Sequence, residues 1–285
     1  MTMTITGTGT GTDPTTAATS PRLSVIVITK NEAARLPTCL ASVDFADELI
    51  VVDASSTDNT AELARSFGAR VSVTHDWPGF GLQKQRALDA ATGDWVFCID
   101  ADEWLDDRLA AAIRQITQAP LTSAPSAHYA VGRMSAFCGQ WMRAGSWYPD
   151  LGIRLFKRGS ARFSPDRVHE RLLLDGSPGK PPQLPGLLLH NSITGLHDAV
   201  DKMNRYSSGR AADLHARGRR GGVGRALGHG LWAFFRGYVL RRGFLDGRLG
   251  LVLAVLDGQA SYFRYLKIWL ADRPTPHELP HPTKR

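Results

Sequence analysis

Four times between residues 23 and 118 a short apolar run gives way to a stretch with helical patterning. The runs are 23–28, 49–52, 71–74 and 95–99, and the helical patterns after them end near 42, 67, 91 and 118. Unbroken apolar runs this short fit strands buried on both faces of a parallel sheet. Strand–helix alternation of this kind predicts a doubly wound α/β domain. Leu36 and Leu40 share one helix face, and Gly68 stands where the second helix should stop. No Gly-x-Gly-x-x-Gly follows the first run, and no Walker sequence occurs. Ordinary dinucleotide and P-loop readings are therefore weak.

Ligands of open α/β sheets bind at the carboxyl ends of the strands. The fourth run ends in Asp100-Ala-Asp102. Two carboxylates one residue apart at such an edge suit a hard divalent cation shared with substrate phosphates. Taken alone, the tripeptide fits a solvated acidic turn better than a cation site. Its neighbours shift that balance: Thr29 and Glu32 close the first strand, and Asp53 closes the second. Residues 54–59, Ala-Ser-Ser-Thr-Asp-Asn, then supply small polar helix-capping groups.

After residue 118 the pattern changes. Prolines 120 and 125 break it, and residues 128–190 read as short Gly- and Pro-punctuated segments with strands at 153–156, 168–174 and 187–190. This predicts a small antiparallel continuation covering one side of the sheet. Residues 196–217 return to a polar helix. From 223 to 270 apolar stretches are interrupted by Arg236, Arg241, Arg242, Arg248, Arg264 and Lys267. No uncharged run reaches the ~18 residues expected of a spanning helix. Residues 196–285 hold 16 Lys/Arg against 7 Asp/Glu, whereas residues 1–195 carry a net −2. Basic, aromatic-rich, interrupted helices fit an anionic membrane surface; the plainer reading packs them on the domain with solvated arginines. Nucleic acid is not expected, since the arginines alternate with Trp, Phe and Leu and no nucleic-acid module is present. Residues 1–21 lack the basic and apolar regions of a signal peptide and read as a disordered tail. Three unpatterned cysteines fit a reducing, cytoplasmic setting.

Three pieces, Val25-Ile-Val-Ile-Thr-Lys-Asn-Glu32, Ile50-Val-Val-Asp-Ala-Ser-Ser-Thr-Asp58 and Gly93-Asp-Trp-Val-Phe-Cys-Ile-Asp-Ala-Asp102, resemble in order and spacing the inverting family 2 glycosyltransferases of GT-A fold. Within that family the chain resembles the lipopolysaccharide-core β-1,4-glucosyltransferase-like branch. The closer likeness rests on Trp147-Tyr-Pro-Asp150, Arg154-Leu-Phe156, Val168-His-Glu170, Leu189-His190, Lys202-x-Asn-x-Tyr206 and Gly243-Phe-Leu-Asp-Gly247.

The resemblance implies a catalytic domain at 22–195, a basic amphipathic helical region at 196–285, and transfer of a hexose from a UDP-sugar to a glycolipid or saccharide hydroxyl. The enzyme would work on the inner face of the cytoplasmic membrane. Asp102 is the expected ligand of Mn²⁺ or Mg²⁺, with Asp100 beside the ribose or on the metal through water. His190 stands where the family's C-terminal histidine can complete the metal shell; a structural hydrogen bond is the alternative. Asp53 is expected on the nucleotide base, with Thr29 and Glu32 lining the same pocket. Lys84 and Arg86 are candidates for diphosphate or ribose, or else solvated helix charges. Glu170 is the expected general base, Asp150 the other candidate, and His169 departs from the acidic pair of related enzymes. Trp147 and Tyr148 are candidate sugar-stacking faces, or else core aromatics. Other functions compatible with the sequence are a polyprenyl-phosphate sugar synthase and a non-catalytic nucleotide-sugar or nucleic-acid binding module.

Overall fold

The computed structural model describes residues 22–166, 170–176, 179–271 and 273. The expected tail at 1–21, and Val168 and His169 of the expected strand at 168–174, lie outside the described residues. The first half runs β1 (Leu23–Thr29), α1 (Leu36–Ala41), β2 (Glu48–Asp53), α2 (Thr60–Ser66), β3 (Arg70–Val73), α3 (Phe80–Asp89), β4 (Trp95–Cys98), β5 (Glu103–Leu105) and α4 (Asp107–Gln118). The second half runs β6 (His128–Phe137), β7 (Gln140–Trp141), β8 (Asp150–Lys157), β9 (Ala161–Phe163), β10 (Leu172–Leu174), β11 (Gln183–Ile193), α5 (Leu196–Ala216), α6 (Val223–Phe235) and α7 (Gly247–Ala271).

One large sheet has the order β3-β2-β1-β4-β8-β6-β11-β5, with β7 paired to β6. The strands β3, β2, β1 and β4 are mutually parallel, as the alternating pattern requires. Their apolar runs divide by pleat, which is why no polar/apolar alternation was visible. Val25, Val27, Val51, Trp95 and Phe97 pack with α1 and α4 on one face. Ile26, Ile50, Val52, Val96 and Cys98 pack with Ala87 and Leu88 of α3 on the other. Local signals agree with this packing: Asp106 caps α4 by accepting from Leu109 N at 2.8 Å, and Gly68 stops α2 with a φ of 79°.

The antiparallel continuation is present, but it extends the sheet edgewise instead of lying across it. β8 pairs antiparallel with β4 and β6, and β11 runs parallel to β6 and antiparallel to β5. The separate β9–β10 ribbon holds the described part of the strand expected near 168–174. Helices α5 to α7 follow, and among the described residues no helix is long and apolar enough to cross a membrane.

Candidate active site

Sheet register gathers the site. Thr29 of β1 pairs with Asp53 of β2, so two strand-terminal side chains meet. In the second half His190 pairs with Glu103 on one side and Ser135 on the other. Arg133 lies opposite Asp150 across β6 and β8. Thr29 and Asp53 end their strands, whereas Arg133, Ser135 and His190 sit inside strands whose pairing continues to Phe137 and Ile193.

Asp53 is almost fully buried. Its carboxylate accepts from Thr29 Oγ1 at 2.9 Å, from Ser56 N at 2.8 Å and from the Ser56 hydroxyl. Because α2 starts only at Thr60, after Asn59, Asp53 is not its cap. A carboxylate has about four acceptor positions; three are used here. Asn31, at a φ of 57°, locks the neighbouring loop by accepting from Thr57 N at 2.8 Å while its own N–H donates to Ser56 Oγ at 2.8 Å.

The two aspartates of Asp100-Ala-Asp102 are in different surroundings. Asp100 Oδ1 is 2.9 Å from Lys84 Nζ, and its Oδ2 is 3.6 Å from Arg154. Burial opposes its charge, but Lys84 and Arg154 outweigh that and hold its carboxyl well below the usual carboxylate range. Asp102 instead has its Oδ2 3.2 Å from His190 Nε2, while His190 Nδ1 is 2.9 Å from Ser135 Oγ. Burial again opposes ionisation, and the His190 hydrogen bond more than offsets it, so Asp102 too lies below its ordinary value.

Lys84 is buried between Asp100 and Glu170, with Nζ 2.8 Å from Glu170 Oε1. Burial disfavours its ammonium, yet Asp100 and the charges around it raise the pKa above the ordinary lysine value. It is therefore no solvated helix charge. Arg86 behaves differently: its guanidinium grips Asp76 at 2.9 and 2.7 Å near the surface and touches Gln83, which donates to Thr74 beside Asp53. Arg86 thus borders the Asp53 pocket and does not join Lys84.

Glu103, Arg133 and Arg154 were not singled out by sequence reasoning as site residues. Glu103 is fully buried, with Oε1 accepting from Arg133 at 3.0 Å and Arg154 at 2.9 Å and Oε2 accepting from Asp100 N at 3.0 Å. Arg133 continues to Asp150 at 2.6 Å. The result is an unbroken run of alternating charge, Glu170–Lys84–Asp100–Arg154–Glu103–Arg133–Asp150, joining both base candidates through the sheet edge. The available signal was an arginine inside each of two apolar strands, in His-Tyr-Ala-Val-Gly-Arg133 and Ile153-Arg154-Leu-Phe. Such a residue needs a buried counter-ion. Glu32, across the edge, has its carboxyl raised by burial and bears on Asp102. From α5, Lys202 acts electrostatically on both Glu32 and Asp102, and Tyr206, its phenol raised by burial, senses Asp102 and Asp100.

The donor chemistry at Asp102 and His190 fits a divalent cation: a carboxylate oxygen and an imidazole nitrogen 3.2 Å apart, with the imidazole oriented through its other nitrogen by Ser135. Among the described residues no group of three or more such ligands occurs. A cation held there would take its remaining positions from water and phosphate oxygens, as Mg²⁺ commonly does.

Residues 24–158 match the family model described as Glycosyl transferase family 2. The uncharacterized glycosyltransferase RP128 of Rickettsia prowazekii is 31% identical over 260 residues, 87% of this chain and 86% of that protein. The lipopolysaccharide core biosynthesis glycosyltransferase LpsC of Rhizobium meliloti is 29% identical over 255 residues, 85% of this chain and 93% of LpsC. Among solved structures, S. aureus TarS 1–349 in complex with UDP-GlcNAc aligns over 88% of this chain and 84% of that chain, at 16% identity and a TM-score of 0.45.

Proposed function

We propose, from the premise that this chain belongs to glycosyl transferase family 2 and is a nucleotide-sugar-dependent glycosyltransferase, that it is an inverting hexosyltransferase. It moves a hexose, such as glucose, from UDP to a hydroxyl of a lipopolysaccharide-core-type or related cell-envelope glycolipid. The relative LpsC, named for lipopolysaccharide core biosynthesis, supports this acceptor class. Residues 22–195 form the catalytic unit. Residues 196–285 hold the enzyme peripherally at the inner face of the cytoplasmic membrane. The observation that carries the reading is the division between the neighbouring aspartates, one neutralised by Lys84 and Arg154, the other on His190.

Asp53 takes the imide N–H of uracil at its remaining acceptor position, and Thr29 and Glu32 line the same pocket. Asp102 and His190 hold Mn²⁺ or Mg²⁺, with Asp100 beside the ribose. Such an ion supplies Lewis-acid stabilisation of charge building on the leaving diphosphate. Glu170 is the general base. Its Oε1 is fixed by Lys84, and its other oxygen takes the acceptor hydroxyl's proton as the new glycosidic bond forms and the bond to UDP breaks. Asp150, tied to Arg133, orients the acceptor side, where Trp147 and Tyr148 offer faces for a sugar ring.

The test is a donor screen read by nucleotide release, with and without Mn²⁺ or Mg²⁺, on wild type and Asp102→Asn. Release from a UDP-hexose that needs metal and Asp102 is expected. Undiminished activity in chelator would remove the metal assignment, and release from no UDP-sugar would remove the donor assignment.

A further inference from the structure

The chemistry above does not use the Gly243-Phe-Leu-Asp-Gly247 motif. It sits at the tip where α6, a π-helical turn (Arg236–Leu240) and the start of α7 meet. Leu231 is 70% exposed, Leu245 65% and Trp232 53%. Phe235, Leu240 and Phe244 are exposed beside them. Residues 223, 227, 231 and 235 are spaced one helical turn apart, so α6 presents Val223, Leu227, Leu231 and Phe235 as one exposed stripe. Interleaved with this surface are exposed Arg236, Arg242 and Arg248. Between Asp213 and Asp257 the sequence has one acid, Asp246, and that residue is buried.

Asp246 is turned inward to a specific task. Its carboxylate accepts from Arg143 N at 3.0 Å and Ala144 N at 2.9 Å, and its carbonyl accepts from Gln140 Nε2 at 2.8 Å. Gly145 N donates to Arg241 O at 2.9 Å. Gly243 allows the close approach, since a Cβ there would lie 2.8 Å from Gly237 O. The exposed tip is thereby tied to residues 140–147, the segment leading into Trp147-Tyr-Pro-Asp150.

We infer that this tip is a docking surface for an anionic lipid bilayer, and that Asp246 couples it to the acceptor side of the active site. The inference rests on the glycolipid-acceptor reading for its purpose and on exposure and charge for its substance. Large apolar side chains enter the interfacial region while arginines meet anionic headgroups, the arrangement of an interfacial amphipathic surface. The exclusion of acid from the exposed surface is what selects an anionic bilayer over a neutral one. Docked this way, the protein presents residues 140–150 to an acceptor that stays in the membrane.

Flotation of the full chain with vesicles of phosphatidylglycerol and phosphatidylethanolamine, against phosphatidylcholine alone, tests the inference. Wild type should float with the anionic vesicles and not with the neutral ones. Arg236→Gln/Arg242→Gln/Arg248→Gln should lower binding by about tenfold or more, and Leu231→Ser/Leu245→Ser should abolish it. Both variants should keep wild-type UDP release from the soluble donor, which isolates docking from catalysis. Absence of flotation, equal flotation of the variants, retention on DNA in place of vesicles, or conversion of a wild-type dimer to a monomer by Leu231→Ser/Leu245→Ser would each overturn it. A protein that floats as expected but releases no nucleotide would keep the docking surface and remove the enzymatic reading.

Discussion

At the ligand edge of the sheet the protein buries charge, whereas at the α6–α7 tip it exposes apolar surface. Lys84, Glu103 and Asp53 are buried in the first region, and Leu231, Trp232 and Leu245 stand in solvent in the second. Each region reverses the usual preference of its residue types. The cost is met differently in the two places. The buried charges have been matched one against another, so the run from Glu170 to Asp150 alternates in sign at every step. The apolar tip has no such internal match; beneath it Gly243 packs closely on Gly237 and Gly145. Matched charges fix the strand-end carboxylates in place at one end, whereas the other end leaves large apolar side chains exposed.

The largest effect that would break this contrast concerns the chemistry at the buried end. Glu170→Gln should lower transfer by roughly 10²–10⁴-fold, the range of general-base contributions, with UDP affinity by calorimetry changed less than about threefold. If donor affinity fell in step with turnover, Glu170 would be structural or metal-linked, and Asp150 would become the base.

Next comes Lys84→Met, which strands Asp100 and Glu170 without their shared cation. Removing one partner of a buried pair costs roughly 3–5 kcal/mol, to be read as a lowered urea midpoint at unchanged slope. The sign with pH follows from the shifts. Asp100 has a depressed folded pKa, so its stabilisation is complete above the ordinary value of about 3.9 and is lost as pH falls through the folded one. Lys84 has a raised folded pKa, so its share is complete below about 10.4 and is lost only as pH rises through the folded value. Between about pH 5 and 9 the pair's contribution in wild type should therefore be flat. A loss under about 1 kcal/mol in the variant would mean the pair behaves as a solvated surface bridge.

His190→Gln should weaken metal-dependent UDP binding by at least about 10–100-fold, since loss of a group behind a metal ligand already costs that much. Unchanged binding with lost thermal stability would make the histidine a structural link between Ser135 and Asp102. The smallest effect belongs to the exposed end. Leu231→Ser should change folding stability by no more than about 0.5 kcal/mol, measured by urea denaturation. A large loss would show that the tip is part of the core, and the contrast between the two regions would fail.

The parallel half was readable from the chain because its evidence is local. Apolar runs of strand length, caps such as Asp106 and the stop at Gly68 depend on residues a few positions apart. The ends of those runs by themselves put Thr29, Asp53, Asp100 and Asp102 on one edge. β6, ten residues with an arginine inside it, carries no alternation that separates it from loop, and its partners β8 and β11 are distant in sequence. Arg133 and Arg154 therefore could not be assigned to Glu103, nor Lys84 to Glu170.

What the sequence by itself determined is the four strand–helix alternations through residue 118, though not the short β5 between β4 and α4, together with the strand-end carboxylates and the basic character of the C-terminal third, all properties of neighbouring residues or of composition. The tertiary structure alone decided which aspartate faces cations and which faces His190, that Lys84 is buried, and that Asp246 joins the exposed tip to residues 140–147. Those outcomes depend on the register between strands and on charges meeting across tens of residues. A buried ion can be placed only when its partner's position is known, and that position is a property of the folded sheet.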